Sequence, residues 1–156
     1  MTEAARRATG DDLPRLAELA RLAIDELRPT KGGEVWARRE ARQEPVEESL
    51  RADIGDDAVH VLAGTIDDVV VGYAVARLET LGDGSVLARV TDLYAEPEAR
   101  EVGLGEAMLD EVIAWATDRH CVGIDSLVLP GNRETKNFFE SFGLVARAIV
   151  VHRPLP

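Results

Sequence analysis

Apolar positions along the chain recur first with a helical period and then with a strand period. In TGDDLPRLAELARLAIDEL, which begins at Thr9, residues Leu13, Leu16, Leu19, Ala20, Ala23, Ile24 and Leu27 fall on one helical face. Thr9 or Asp11 can cap this helix, Pro14 sits in its first turn, and RPTKGG ends it. From Glu34 to Ile54 the stretch EVWARREARQEPVEESLRADI keeps a helical rhythm but breaks at Pro45, whose ring removes a backbone donor, so two short helices are predicted. The aromatic Trp36 in this charged, interrupted pair suits the wall or lid of a site, and equally a solvated helical connection. The opening AARRAT alternates too weakly to assign by itself.

The period then changes. HVLAGTI and VVVGYAVARLE are rich in β-branched residues and are separated by Asp67 and Asp68, which predicts a β-hairpin. LGDGS turns the chain into SVLARVTDLYA, a third antiparallel strand. After Pro97 and the loop EAREVG comes a helix with Leu104, Met108, Val112 and Trp115 at helical spacing, closed by Arg119. VGIDSLVLP reads as a further strand, GNRETKNFFESFG as a short helix ended by Gly143, and LVARAIVVHR as the last strand. The succession of elements is that of an α+β chain, antiparallel in its middle strands.

Composition bounds what such a chain can do. A length of 156 residues fits one domain, residues 1–156, and the 46% hydrophobic and 30% charged content describes a globular chain able to bury a core. No apolar run approaches the roughly 20 residues that cross a bilayer, and MTEAARRATGDD has no apolar signal region, so a cytoplasmic, membrane-free protein is expected. The 29 acidic against 18 basic residues give a formal charge of -11, which repels nucleic acid. One cysteine, Cys121, allows no internal disulfide, and His60, His120 and His152 lack ligand spacing, so no metal is expected. Cys121 beside His120 reads as a buried structural cysteine rather than a catalytic pair, and Asp125-Ser126 lacks the G-x-S-x-G elbow of a hydrolase.

The informative loop is REVGLGEAM, residues 100 to 108. A strand, a loop carrying Arg100, Gly103 and Gly105, and then a helix bring orphan N–H donors and the positive end of a helix dipole to one place, which suits a pyrophosphate. A dinucleotide fingerprint requires a third glycine where Met108 stands, and a P-loop requires Lys and Ser or Thr where Glu106 and Ala107 stand. Arg100-Glu101-Val102-Gly103-Leu104-Gly105 does match [RQ]-x-x-G-x-[GA], the acyl-coenzyme A loop of the GNAT N-acetyltransferase superfamily. LYAEPEAR, LVLPGNRETKNFFESFGL and the opening ARRATGDDLPRLAEL also resemble that family, so the resemblance covers nearly the whole chain.

The resemblance implies an α+β acyl-CoA N-acyltransferase fold, a mixed, mainly antiparallel sheet flanked by helices and splayed between TDLYA and DSLVL, that uses acetyl-CoA or another acyl-CoA as co-substrate. The backbone of Leu93, Tyr94 and Ala95 would hold the pantetheine arm as an added strand. The N–H groups of Val102, Gly103, Leu104, Gly105 and Glu106 would take the pyrophosphate with help from Arg100, and Asn132 would contact the cofactor arm. The family's tyrosine, which protonates the leaving thiolate, falls here on Phe139, a ring that cannot donate a proton but that would still border the cofactor from that position. Tyr94 and Asp92, two apart on one strand and so on one face, are the candidate acid and the candidate base or amine anchor. Each also has a structural reading, Tyr94 as a packed aromatic and Asp92 as an arginine's partner. The reaction expected is acyl transfer to a primary amine by direct attack in a ternary complex. The acceptor would be a small molecule or a lysine side chain, with a cationic amine favoured by the acidity of the chain, and a homodimer is expected from the family's habit of pairing sheet edges. A domain that binds acyl-CoA as a sensor without transferring it, and a structural or interaction domain, are the alternatives.

Overall fold

The computed structural model describes residues 1–156. Five strands, β1 (Glu3–Arg7), β2 (Val59–Ile66), β3 (Val69–Thr80), β4 (Val86–Ala95) and β5 (Gly123–Ser126), form one sheet in that order. The first four are antiparallel neighbours, and β5 runs parallel to β4. Helices α1 (Leu13–Leu27), α2 (Gly33–Arg39) and α3 (Val46–Ile54) lie between β1 and β2, α4 (Leu104–Asp118) carries the chain from β4 to β5, and α5 (Arg133–Ser141) follows β5. The sheet is mixed and mainly antiparallel, its middle strands antiparallel as the change of period predicts and its mixed character as the resemblance implies. No helix is long and apolar enough to cross a membrane.

Strand alternation sorts the core into two layers. Val59, Val61, Tyr73 and Val75 pack with Leu16 and Leu19 of α1 and Val46 and Leu50 of α3. Their neighbours in sequence, Leu62, Ala74 and Ala76, turn to the other face and pack with Leu104, Met108, Leu109 and Val112 of α4 and Phe139 of α5. Each fully buried leucine in these layers contributes about 1.5–3 kcal/mol relative to exposure. Helix α4 approaches the sheet closely because of two glycines. A Cβ on Gly64 would lie 2.8 Å from the Met108 sulfur, and one on Gly72 would lie 3.0 Å from Leu104 Cδ2. The β2–β3 turn has positive φ at both Asp67 (47°) and Asp68 (68°), the mirror-image turn whose twist matches a hairpin.

Four segments depart from the sequence reading. The weakly alternating start is a strand after all, with β1 paired to β2 from Glu3 opposite Ile66 to Arg7 opposite Leu62. Helix α1 begins at Leu13, after a short 3-10 turn at Gly10–Asp12. In that turn the Asp12 carboxylate accepts the Thr9 N–H at 2.9 Å and two bonds from Arg6 at 2.8 Å, while Asp11 stays exposed. Strand β5 ends at Ser126, so Leu127 to Pro130 leave the sheet. The expected last strand is absent: residues 144–156 carry no helix or strand, and Val145, Ile149, Val150 and Val151 are 73% to 89% exposed. Their β-branched composition favours a strand, but propensity without a hydrogen-bonded neighbour forms none. The segment is tied to the sheet by the Arg147–Asp125 ion pair.

Candidate active site

Strand β4 is longer than its parallel neighbour, and that difference opens the site. Pairing with β5 covers only Leu87 to Val90 against Gly123 to Ser126, so β4 runs on to Ala95 with no strand paired to that edge. A bulge at Thr91, where Val75 faces Asp92 and Ala76 faces Val90, marks the point of divergence. The Glu96 N–H donates to the Val71 carbonyl at 2.9 Å. In an antiparallel ladder bonded pairs alternate, so Tyr94 and Asp92 also bond across to β3, while the N–H and C=O groups of Leu93 and Ala95 point to the open edge.

A cleft of about 780 Å³ lies along this edge, with β4, the loop before α4, the start of α5, and α1 with its following loop around it. Leu93, Tyr94 and Ala95 line it, together with Arg100, Gly105, Glu106 and Asn132. In α4 the first bonded N–H is that of Ala107, which donates to the Gly103 carbonyl at 3.0 Å. The donors of Leu104, Gly105 and Glu106 are therefore left without intrahelical partners. Gly103 has φ +90° and caps the helix in the left-handed region, and a Cβ there would point at the Glu3 carboxylate, 3.4 Å away, rather than into the cleft. A Cβ on Gly105 would lie 3.2 Å from the Phe138 ring. The first glycine is thus a backbone requirement and the second makes room for an aromatic. The Leu104 side chain is fully buried beneath the loop, and Val102 does not line the cleft. The Asn132 side chain caps α5 by accepting the Thr135 N–H at 3.4 Å.

Arg100 does not stand free. Its two terminal nitrogens donate to the Glu26 carboxylate of α1 at 2.8 and 2.7 Å, its Nε donates to the Ala95 carbonyl at 2.8 Å, and its guanidinium lies 5.3 Å from the centre of the Tyr94 ring. Burial and the Glu26 charge push the Tyr94 phenol above its ordinary value, with Arg100 opposing them, so Tyr94 is protonated at neutral pH.

Asp92 occupies the opposite kind of place. Its carboxylate accepts Arg42 Nε at 3.2 Å, Arg42 Nη2 at 3.0 Å, the Tyr73 hydroxyl at 2.8 Å and the Thr91 hydroxyl at 2.8 Å. Arg42, between α2 and α3, also donates to Asp53 at 2.7 Å and Ser49 at 2.7 Å, and Arg77 joins Asp53 at 2.9 Å. Burial works against the Arg42 charge, but Asp92 and Asp53 more than offset it and hold the guanidinium protonated. Burial and the Asp92 charge hold the Tyr73 phenol well above its usual range. With four donors in place, the Asp92 carboxylate is fully engaged in hydrogen bonds, as the arginine's partner that one of its two sequence readings expects.

The remaining expectations divide. Phe139 is buried among the α4 side chains and does not line the cleft; its neighbour Phe138 does. Trp36 is half-buried and does not line the cleft either. Sequence reasoning missed Glu26, Arg42 and Phe138. Only Phe138 had a signal, because successive helical residues point about 100° apart and the phase of α5 decides between two adjacent rings. No cluster of His, Cys, Asp or Glu has the arrangement to hold a metal ion.

A model of the acetyltransferase (GNAT) family matches residues 17–144. Among solved structures, a tetramutant of the BH1408 protein of Bacillus halodurans superposes with a TM-score of 0.82 at 19% identity, over 97% of this chain and 99% of that one. AAC(6')-Iy in complex with a CoA-S-monomethyl-acetylneamine bisubstrate analog gives 0.76 at 16% identity, over 100% and 99%. The aminoglycoside acetyltransferase meta-AAC0020 from an uncultured soil metagenomic sample, in complex with sisomicin, gives 0.73 at 18% identity, over 99% and 95%. At these identities the likeness is one of fold. None of the curated proteins matches the sequence significantly.

Proposed function

Because the chain belongs to the acetyltransferase (GNAT) family, we propose that it transfers an acyl group from acyl-CoA to a primary amine by direct attack in a ternary complex. The observation that carries this reading is the edge of β4 beyond β5, where Leu93 and Ala95 aim backbone groups with no strand partner, the Ala95 carbonyl being held only by Arg100 Nε, into a cleft bounded by the first turn of α4. The co-substrate supplies an activated thioester. Leu93 and Ala95 bond the extended pantetheine arm as β5 would have done, and the N–H groups of Leu104, Gly105 and Glu106 face its pyrophosphate. Phe138 and Asn132 form the facing wall.

Tyr94 is the group in this cleft suited to deliver a proton to the departing thiolate. It lines the cleft, and its raised pKa keeps the proton on Oη at neutral pH. Asp92 acts on the reaction only by holding the bulge and α3 in place. The acceptor sheds its proton to water or to a cleft carboxylate rather than to Asp92. A cationic acceptor, a small-molecule amine or a lysine side chain, suits the formal charge of -11.

The test is a thermal-shift titration with acetyl-CoA, CoA, NAD and ATP, followed by amine-dependent thiol release. A ligand at 100 times its Kd adds about 2.7 kcal/mol, or roughly 5–11 °C for a chain of this size. Shifts with the two CoA forms alone, and thiol release with cationic amines, are the expected results. CoA binding without turnover on any amine would make this a sensor, and no CoA shift would refute the reading of the cleft.

A further inference from the structure

The guanidinium nearest the phosphate-facing helix end is already spoken for. Arg100 and Glu26 both line the cleft but come from opposite sides of it, Glu26 from α1 and Arg100 from the loop before α4. Their paired bonds at 2.8 and 2.7 Å tie the two walls together. The third donor of Arg100 takes the Ala95 carbonyl, one of the two acceptors on the open edge of β4. The other charged groups lining the cleft are Glu101, Glu106, Glu134 and Lys31, so once Arg100 is neutralised by Glu26 the cleft is a poor home for a polyanion.

We infer that Arg100 is a two-position side chain, that Glu26 competes with the phosphates of the co-substrate for it, and that the Glu26–Arg100 pair must open each time the cleft is filled. This rests on the reading of the cleft as an acyl-CoA site and adds to it a residue that lowers affinity. The pair is suited to opening because it is partly solvated, with the side chains 36% and 44% exposed, and exposed ion pairs hold weakly. A phosphate offers Arg100 the same bidentate geometry with more charge. When Arg100 leaves, the Ala95 carbonyl is released to bond an added strand, so one movement prepares both the phosphate end and the arm. Glu26 thereby sets a threshold that favours ligands carrying phosphate over uncharged thioesters.

The experiment is a double-mutant cycle on CoA affinity by calorimetry, with wild type, Glu26→Gln, Arg100→Ala and the double variant. Glu26→Gln should bind CoA about two- to fivefold more tightly, the range set by an exposed ion pair. Removing Arg100 should cost about tenfold in the Glu26→Gln background, where its charged bond to phosphate is unopposed, and only about two- to fivefold in wild type. Non-additivity in that direction supports the exchange. Equal costs of Arg100→Ala in both backgrounds would show that Glu26 acts as a distant charge only. Weaker binding by Glu26→Gln would show that it aims Arg100 at the phosphate. Either result overturns the inference while leaving the cleft assignment standing. Absence of CoA binding by the wild type would overturn both. The melting temperatures of all four proteins, expected to lie within a few degrees of one another, check that each is folded.

Discussion

Substituting Asp92→Asn separates a structural carboxylate from a catalytic one. Asn keeps the side-chain volume and one acceptor oxygen for Tyr73, but it removes the charge that faces Arg42, whose side chain is 5% exposed against 9% for Asp92. Arg42 would retain Asp53 and Ser49, and Asp53 is already shared with Arg77. Breaking one half of a buried pair costs about 3–5 kcal/mol, and the retained partners place this case near the lower end. For a chain of 156 residues about 3 kcal/mol lowers the melting temperature by roughly 6–12 °C. Urea denaturation would measure the loss, and kcat for thiol release would be taken well below the variant's melting point. The expected pair of results is a large loss of stability with kcat within a few-fold of wild type. The double variant Arg42→Gln, Asp92→Asn should be less destabilised than the sum of its parts, because the second change removes the charge the first left unpaired. An unchanged denaturation midpoint with kcat reduced by 10²-fold or more, the usual worth of a general base, would refute the structural role and restore Asp92 to the chemistry.

Other outcomes follow from the same geometry. Tyr94→Phe should lower kcat by about 10²-fold and leave the CoA Kd within about threefold. In the wild type the loss of activity by Tyr94 deprotonation should come only above its raised pKa, so a fall near neutral pH that disappears in Tyr94→Phe would contradict the assignment. Gly72→Ala should destabilise by about 1–3 kcal/mol, since its Cβ meets the Tyr94 carbonyl at 2.8 Å, whereas Gly82→Ala, with open space around it, should stay within about 0.5 kcal/mol. Asp12→Asn should cost about 1 kcal/mol at pH 7. The hydrogen bonds from Arg6 and then from Thr9 depress the Asp12 pKa in the folded state, so its contribution is complete above the unfolded value of about 3.9 and is lost as pH falls through the folded one. Melting curves of the two proteins should therefore converge in acid, and a constant gap from pH 7 to pH 2 would rule out the charge as the cause.

Wherever an element buries one face, the sequence showed it. The stripe from Leu13 to Leu27, the β-branched runs around Asp67-Asp68 and the break at Pro45 all report on contact with a core, and each corresponds to an element in the structure. The start and the end of the chain have no such face. In β1 the residues Glu3, Arg6 and Arg7 are all exposed, and the strand exists through backbone bonds to β2 that leave no hydrophobic pattern. Residues 144–156 have the opposite property, a strand-like composition with no partner. At the site, Gly103 is legible because a helix start demands a particular backbone, whereas Asn132 stands out in the sequence only through the family resemblance, and the cap it makes on α5 is a finding of the structure. The state of Arg100 is not legible, because its partner Glu26 lies 74 positions away and on a different wall.

The division of labour within β4 explains why its side chains mislead. Asp92 and Tyr94 share one face, as their spacing requires, yet the first is enclosed by Arg42, Tyr73 and Thr91 while the second borders open space. The difference arises along the strand, at the bulge: up to Val90 the edge is occupied by β5, and beyond it the edge is free. In the acyl-CoA site proposed above, the side chains at the bulge would hold the divergence open and those past it would meet the ligand. Leu93 and Ala95, which carry no functional side-chain group, contribute through backbone donors and acceptors that any residue without a ring nitrogen could supply. On that reading the shape of the cleft follows mainly from where β5 stops pairing and where α4 starts, with Gly72, Gly103 and Gly105 needed for their backbone and their lack of a Cβ, and Tyr94 and Arg100 for their side chains. Extending the β4–β5 pairing past Ser126 would then occupy the backbone groups of Leu93 and Ala95 and should abolish CoA binding; a variant so extended that still binds CoA would refute the role of this edge.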